Sequence, residues 1–234
     1  MTSRSPNAAK RLIDMVRAPR ATLQVAIAAP RSLDLALLIV VVAAILNAGF
    51  LMTHVGRLAA LDQQVRQLES FGVEITDARY EELKQLVPYR PAISAATVII
   101  GWPIAWLGIA VLIHMLRRHA SHGVTYAQVL AVVVHASAIL AVRVLVEAPL
   151  NYARESLGGA TSLATLLPAF SESTLLARFL GAIDIFIVWW VIVLAMGLAL
   201  LYRSRTVTIA QWLFGAYAAA AAALAVAQAL RGGI

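Results

Sequence analysis

The feature that most constrains this chain is an uninterrupted apolar stretch near its end, LGAIDIFIVWWVIVLAMGLALLYRSR, from Leu180 to Arg205. From Ile185 to Leu201 it holds no charge, and Tyr202, Arg203 and Arg205 close it. A helix crosses the hydrocarbon core of a bilayer with about 20 apolar residues at 1.5 Å each. A soluble core helix keeps a polar face, and this stretch has none. Asp184 stands at its start, and Trp189 and Trp190 follow inside it. The stretch reads as a transmembrane helix with an acid marking one end.

Composition extends that reading to the whole chain. Of 234 residues, 61% are hydrophobic and 13% charged, with a mean hydropathy of +0.81. Soluble domains carry about 25% charged residues. The expected class is therefore all-α: a polytopic integral membrane protein with five transmembrane helices. The spans fall at about 33–53, 92–116, 126–150, 181–202 and 208–230. The net charge of +7 does not point to nucleic acid, because the basic residues cluster at span ends, where topology and lipid phosphates account for them. There is no cysteine, which excludes disulfides and thiolate chemistry.

Residues 1–31 read as a basic cytoplasmic segment ahead of the membrane domain. Lys10, Arg11, Arg17, Arg20 and Arg31 alternate with Leu12, Ile13, Val16, Leu23 and Ile27, and Pro19 and Pro30 divide the segment into short pieces. Such a pattern suits interfacial helix, its cations on anionic head groups. Those five basic residues are the candidate lipid contacts. The alternative is a solvated tail that only sets orientation.

Residues 54–91 form the one long polar segment. Leu58, Leu61, Val65 and Leu68 share a helix face, Phe71-Gly72 interrupts, and a second helix is expected from Thr76 or Asp77 until Pro88 and Pro91 stop it. This predicts an external amphipathic helical hairpin, either a partner surface or a cap on the membrane domain. Gly101-Trp102-Pro103 should bend the second span. His114, His119 and His122 end that span beside Arg117 and Arg118. Without a carboxylate or cysteine, and with two arginines to repel a cation, they do not argue for a metal.

Ionisable residues inside spans are costly unless paired, so they are the informative ones. Arg143 and Glu147 are four apart in the third span and share a helix face. Arginines at span ends favour a cytoplasmic N-terminus and an external C-terminus. That orientation places Asn47, Arg143, Glu147 and Asp184 all in the outer half of the bilayer. The inference is a polar cluster with Arg143 between Glu147 and Asp184. It is either a salt-bridge network that fixes helix register or an ion or solute site. His135, near mid-depth of the third span, is read as a hydrogen-bonded packing histidine, with a proton relay as the alternative.

Asp184, Phe186 and Trp189 form a D-x-F-x-x-W run, with Gly197 one to two turns on. The basic segment carries a P-x-x-T pattern at Pro19 and Thr22. These features and the five-span count resemble bacterial members of the Yip family, small membrane proteins whose eukaryotic relatives interact with Rab-type GTPases. The D-L-Y-G-P motif of eukaryotic members is absent. The resemblance implies a non-enzymatic protein of a bacterial inner (plasma) membrane, organising membrane or binding other membrane proteins or a second copy of itself. A small transporter or channel subunit using the polar cluster is the second reading. Motifs for hydrolases, zinc proteases, dinucleotides and P-loops are absent, and no cofactor or metal is expected.

Overall fold

The computed structural model describes residues 7–117, 123–157, 159–166, 180–181 and 183–231. Among these residues the chain is helical, with no strand. Four helical stretches are long and apolar enough to cross a membrane: Leu33–Met52, Asp77–Leu116, Tyr126–Ala153 and Thr206–Ala223. Ile185–Leu201 is a shorter apolar helix of 17 residues. The chain divides into two compact units.

The first unit is Met1–Ala43, Thr97–Val142 and Trp189–Phe214. It opens with α1 (Ala8–Arg17), capped by the Asn7 side chain on the Lys10 amide, and α2 (Pro19–Ala28), which begins at Pro19 because a first-turn residue needs no amide hydrogen. α3 (Leu33–Met52) starts here. α7 (Trp102–Arg117) follows a π-helical turn at Thr97–Gly101. Pro103 removes one i→i−4 hydrogen bond, and the wider turn just before it accommodates the loss. α8 (Tyr126–Ala136) opens with a capping box, Thr125 with Gln128. At Ser137 the helix breaks for one residue, and the serine hydroxyl donates to the Val133 carbonyl at 2.9 Å. α9 (Ala138–Ala153) continues the path.

α2 lies along α8. The Gln128 side-chain amide donates to the Ile27 carbonyl at 3.3 Å. Leu23 is fully buried. A Cβ added at Gly197 would lie 2.5 Å from a Val132 methyl and 3.2 Å from a Leu23 methyl. Gly197 therefore gives the close approach that lets Leu23 and Val132 meet the helix Ile185–Leu201, here α11. The N-terminal segment thus packs within this unit, through the apolar face the sequence shows at Leu23, while Lys10, Arg17, Arg20 and Arg31 stay exposed.

The second unit is Ala44–Ala96, Arg143–Val188 and Gly215–Ile234. Thr53 turns the chain from α3 into α4 (His54–Ser70) by accepting the Gly56 amide at 2.9 Å. Gly56 tolerates no side chain, since a Cβ would fall 2.0 Å from the Phe50 carbonyl oxygen. Phe71 and Gly72 end α4, with Gly72 at φ 76. Thr76 caps α5 (Asp77–Leu86). As expected, α5 ends at Leu86, just before Pro88, but the chain stays helical beyond it, in separate elements as far as Leu116. Pro88 sits in the first turn of a 3-10 segment, Val87–Tyr89, and Pro91 in the first turn of α6 (Arg90–Ala96), where neither owes an amide hydrogen. α10 (Leu163–Leu166) is a single turn, and α12 (Thr206–Arg231) closes the described chain.

Candidate functional site

The charged cluster of the second unit is assembled from α9, the segment before α10 and the start of α11. Arg143 and Glu147 stand one turn apart on α9, and Arg143 Nη2 is 3.1 Å from Glu147 Oε1. Asp184 arrives through the backbone. Leu163 N–H donates to the Ile183 carbonyl at 2.8 Å and Ile185 N–H to the Thr161 carbonyl at 3.2 Å. This short antiparallel bridge pins Asp184 beside Thr161 and Ser162.

Asp184 is 4% exposed, and both its oxygens are engaged. Oδ1 accepts from the amides of Phe186 at 2.8 Å and Ile187 at 3.2 Å, so Asp184 caps α11. A carboxylate there satisfies amides that lack intrahelical partners and sits at the positive end of the helix dipole. Oδ2 lies 3.2 Å from Arg143 Nε. That nitrogen is buried and misaligned for a hydrogen bond, so the contact is charge against charge. Thr161 links the two acids. Its hydroxyl is 2.5 Å from Asp184 Oδ2 and 2.8 Å from Glu147 Oε1. The Tyr217 hydroxyl accepts the Asp184 amide at 3.4 Å.

The structure therefore brings Arg143, Glu147 and Asp184 together. Asn47 stands half-buried on α3. Sequence reading missed Thr161 and Tyr217, because one hydroxyl in a Ser/Thr-rich loop and one tyrosine in an alanine-rich helix carry no spacing signal. The capping role of Asp184 was readable, since an acid directly before an apolar helix is an N-cap signature.

The remaining motif residues lie elsewhere. Phe186 and Trp189 are half-buried on α11. The indole of Trp190, not Trp189, donates to the Ser137 hydroxyl at 3.3 Å. Gly197 is the contact point for Leu23 and Val132. His135 is buried at 1% exposure, its Nδ1 2.7 Å from the Ala131 carbonyl. His114 packs edge-on against Tyr126. Arg118, His119 and His122 lie outside the described residues. Among the described residues no group of three or more histidines and carboxylates is placed to hold a metal.

A second charged group lies in the first unit. Arg11 ion-pairs with Asp34 through Nη2. Its Nη1 donates to the Arg31 carbonyl at 2.8 Å. Arg11 is thus turned inward, unlike the other four basic residues of the N-terminal segment. No family model, curated protein or solved structure matches the chain.

Proposed function

We propose that this chain is a non-enzymatic integral membrane protein of the Yip type, acting as a membrane-organising or partner-binding scaffold. In this reading all five apolar helices cross a bacterial plasma membrane, with the N-terminus cytoplasmic and the helices of residues 54–91 external. The 17 apolar residues of α11 reach about 25 Å, short of the roughly 30 Å core. Asp184 and Tyr202, one at each end, complete the crossing by standing at the interfaces.

The observation that carries the scaffold reading is the saturation of the Asp184 carboxylate. One oxygen caps a helix, and the other is shared by Thr161 and Arg143. A transported ion or solute would have to displace a cap, a hydroxyl and a guanidinium at once. A group so committed serves as a register-fixing device. The D-x-F-x-x-W run and Gly197 support the Yip assignment as a resemblance.

The test replaces the cluster while keeping the cap: Arg143→Leu, Glu147→Leu and Asp184→Asn together, since Asn caps a helix about as well as Asp. A scaffold keeps its membrane location, its cross-linked partners and its ability to complement a deletion strain. A transport site gives a folded but inactive protein, and that outcome overturns the reading in favour of a transporter or channel subunit.

A further inference from the structure

The first unit holds a cavity of about 600 Å³, lined chiefly by α1, α2 and the turn before α3. That is within the usual range for a small-molecule site. Its wall is of two kinds. Ala18, Ala21, Val25, Ala26 and Ala29 give an apolar side along α2. Lys10, Arg11, Asp14, Arg31, Asp34 and His135 give the polar side.

The charges do not balance. Arg11 and Asp34 neutralise each other as an ion pair. Lys10 and Arg31 then face Asp14 alone, so the wall keeps one surplus positive charge. Both surplus-side cations are exposed and uncommitted to a carboxylate within ion-pair distance among the described residues. Arg31 offers a planar fork and Lys10 a point charge, the two common ways of holding a phosphate. His135 adds a polar ring whose Nδ1 is already bonded to Ala131, leaving Nε2 as its remaining polar atom.

The surroundings say what else the ligand carries. Val25 lines the cavity and is 57% exposed. Ile13 and Val16 on α1 are exposed apolar residues beside exposed Arg17 and Arg20. Apolar side chains left outside a basic cavity suit a ligand whose charged end enters and whose apolar end stays out. Basic pockets beside membrane helices on the cytoplasmic side bind lipid head groups in this way.

We propose that this cavity holds the phosphate head group of one phospholipid, gripped by Lys10 and Arg31, with the acyl chains leaving past Val25. The inference rests on the membrane reading above and goes beyond general attraction of a basic segment to an anionic surface, because it names one bound lipid in one cavity.

The experiment uses the full chain purified from membranes in mild detergent, with native mass spectrometry after addition of phosphatidylglycerol. The expected result is one retained lipid per protein. Diacylglycerol with the same acyl chains should be retained at least tenfold less, because it lacks the phosphate. Lys10→Gln with Arg31→Gln should weaken retention at least about tenfold, as loss of two basic contacts at a lipid surface implies. Arg79→Gln with Lys84→Gln removes the same charge from α5 and should leave retention unchanged. Inorganic phosphate at millimolar concentration should not displace the lipid. Equal retention of diacylglycerol, displacement by inorganic phosphate, or equal losses in both double variants would each overturn the proposal. Protein that inserts into membranes but retains no lipid sinks this inference alone. Protein absent from the membrane fraction sinks the membrane reading itself.

Discussion

Arg143 and Arg11 are both arginines set against aspartate, and the two surroundings differ in what they leave over. Around Arg143 the partners close on one another. Asp184 is 4% exposed, the Thr161 hydroxyl lies between both acids with its one proton shared by them, and backbone pairing at residues 161–163 and 183–185 fixes the geometry. Around Arg11 the partner Asp34 keeps a side-chain exposure of 57%, and a cavity lined by further charges adjoins the pair. A closed set of partners contributes stiffness and a fixed register. An open one retains unspent charge, and unspent charge beside a cavity is what a ligand can use. The same residue types thus support a structural reading in one unit and a binding reading in the other.

The largest expected effect is that of Asp184→Ala. It removes the cap on α11 and leaves Arg143 with one acid instead of two. Arg143 keeps Glu147, so no charge is stranded; the loss comes from the cap, about 1 kcal/mol, and from hydrogen bonds to a charged group, about 1.5–3 kcal/mol. The two are not independent, so the expected loss is about 2–4 kcal/mol. Thermal unfolding in detergent measures it. A variant within about 1 kcal/mol of the parent would show that the cluster is not holding the fold.

Thr161→Val is next in size. The shape is kept and the hydroxyl is lost, so the two carboxylates lose the single donor they share in a buried site. An unsatisfied buried acceptor costs about 1–3 kcal/mol. Thr161→Ser should recover most of that, because the hydroxyl returns. Equal stability of the Val and Ser variants would remove Thr161 from the network.

Gly197→Ala probes the first unit. The new methyl would sit 2.5 Å from a buried Val132 methyl, and overpacking of this kind costs about 1–3 kcal/mol. Some of that is offset by the better helix propensity of alanine, about 1 kcal/mol. Val132→Ala in the same chain makes room and should restore stability toward the parent. If the double variant is less stable than either single one, the close approach is not what Gly197 provides.

Much of this arrangement was legible. Apolar runs located the helices, Thr76 marked the start of α5, and the four-residue spacing of Arg143 and Glu147 marked their pairing. Asp184 was reached by reasoning about depth, since no local pattern links it to Arg143. The end of α5 before Pro88 was legible, but the immediate restart of helix at Val87 and Arg90 was not, because a proline says where an amide is missing but not whether a new first turn begins there. The packing of α2 on α8 was hidden for a different reason. Leu23 and Val132 are ordinary apolar residues, and only the long-range meeting at Gly197 gives them a role. Thr161 carried no signal, because its function comes from an antiparallel bridge that brings together residues 161–163 and 183–185.

The smallest expected effect on stability gives the cleanest contrast. Asp34→Asn keeps size and shape while removing the charge opposite Arg11. Asp34 is largely exposed, whereas the Arg11 side chain is 12% exposed and would keep the Arg31 carbonyl as a partner, so the lost ion pair should cost about 1 kcal/mol, and less in high salt. The cavity, however, gains a second surplus positive charge. A charge at a membrane surface is worth about 1 kcal/mol toward an anionic lipid, so phosphatidylglycerol retention should rise about fivefold. Stability and lipid retention then move in opposite directions at Asp34, whereas at Asp184 only stability should move. Asp34→Asn protein that unfolds several degrees earlier and also releases lipid would mean the Arg11 pair is as structural as the Arg143 cluster, and the contrast between the two units would collapse.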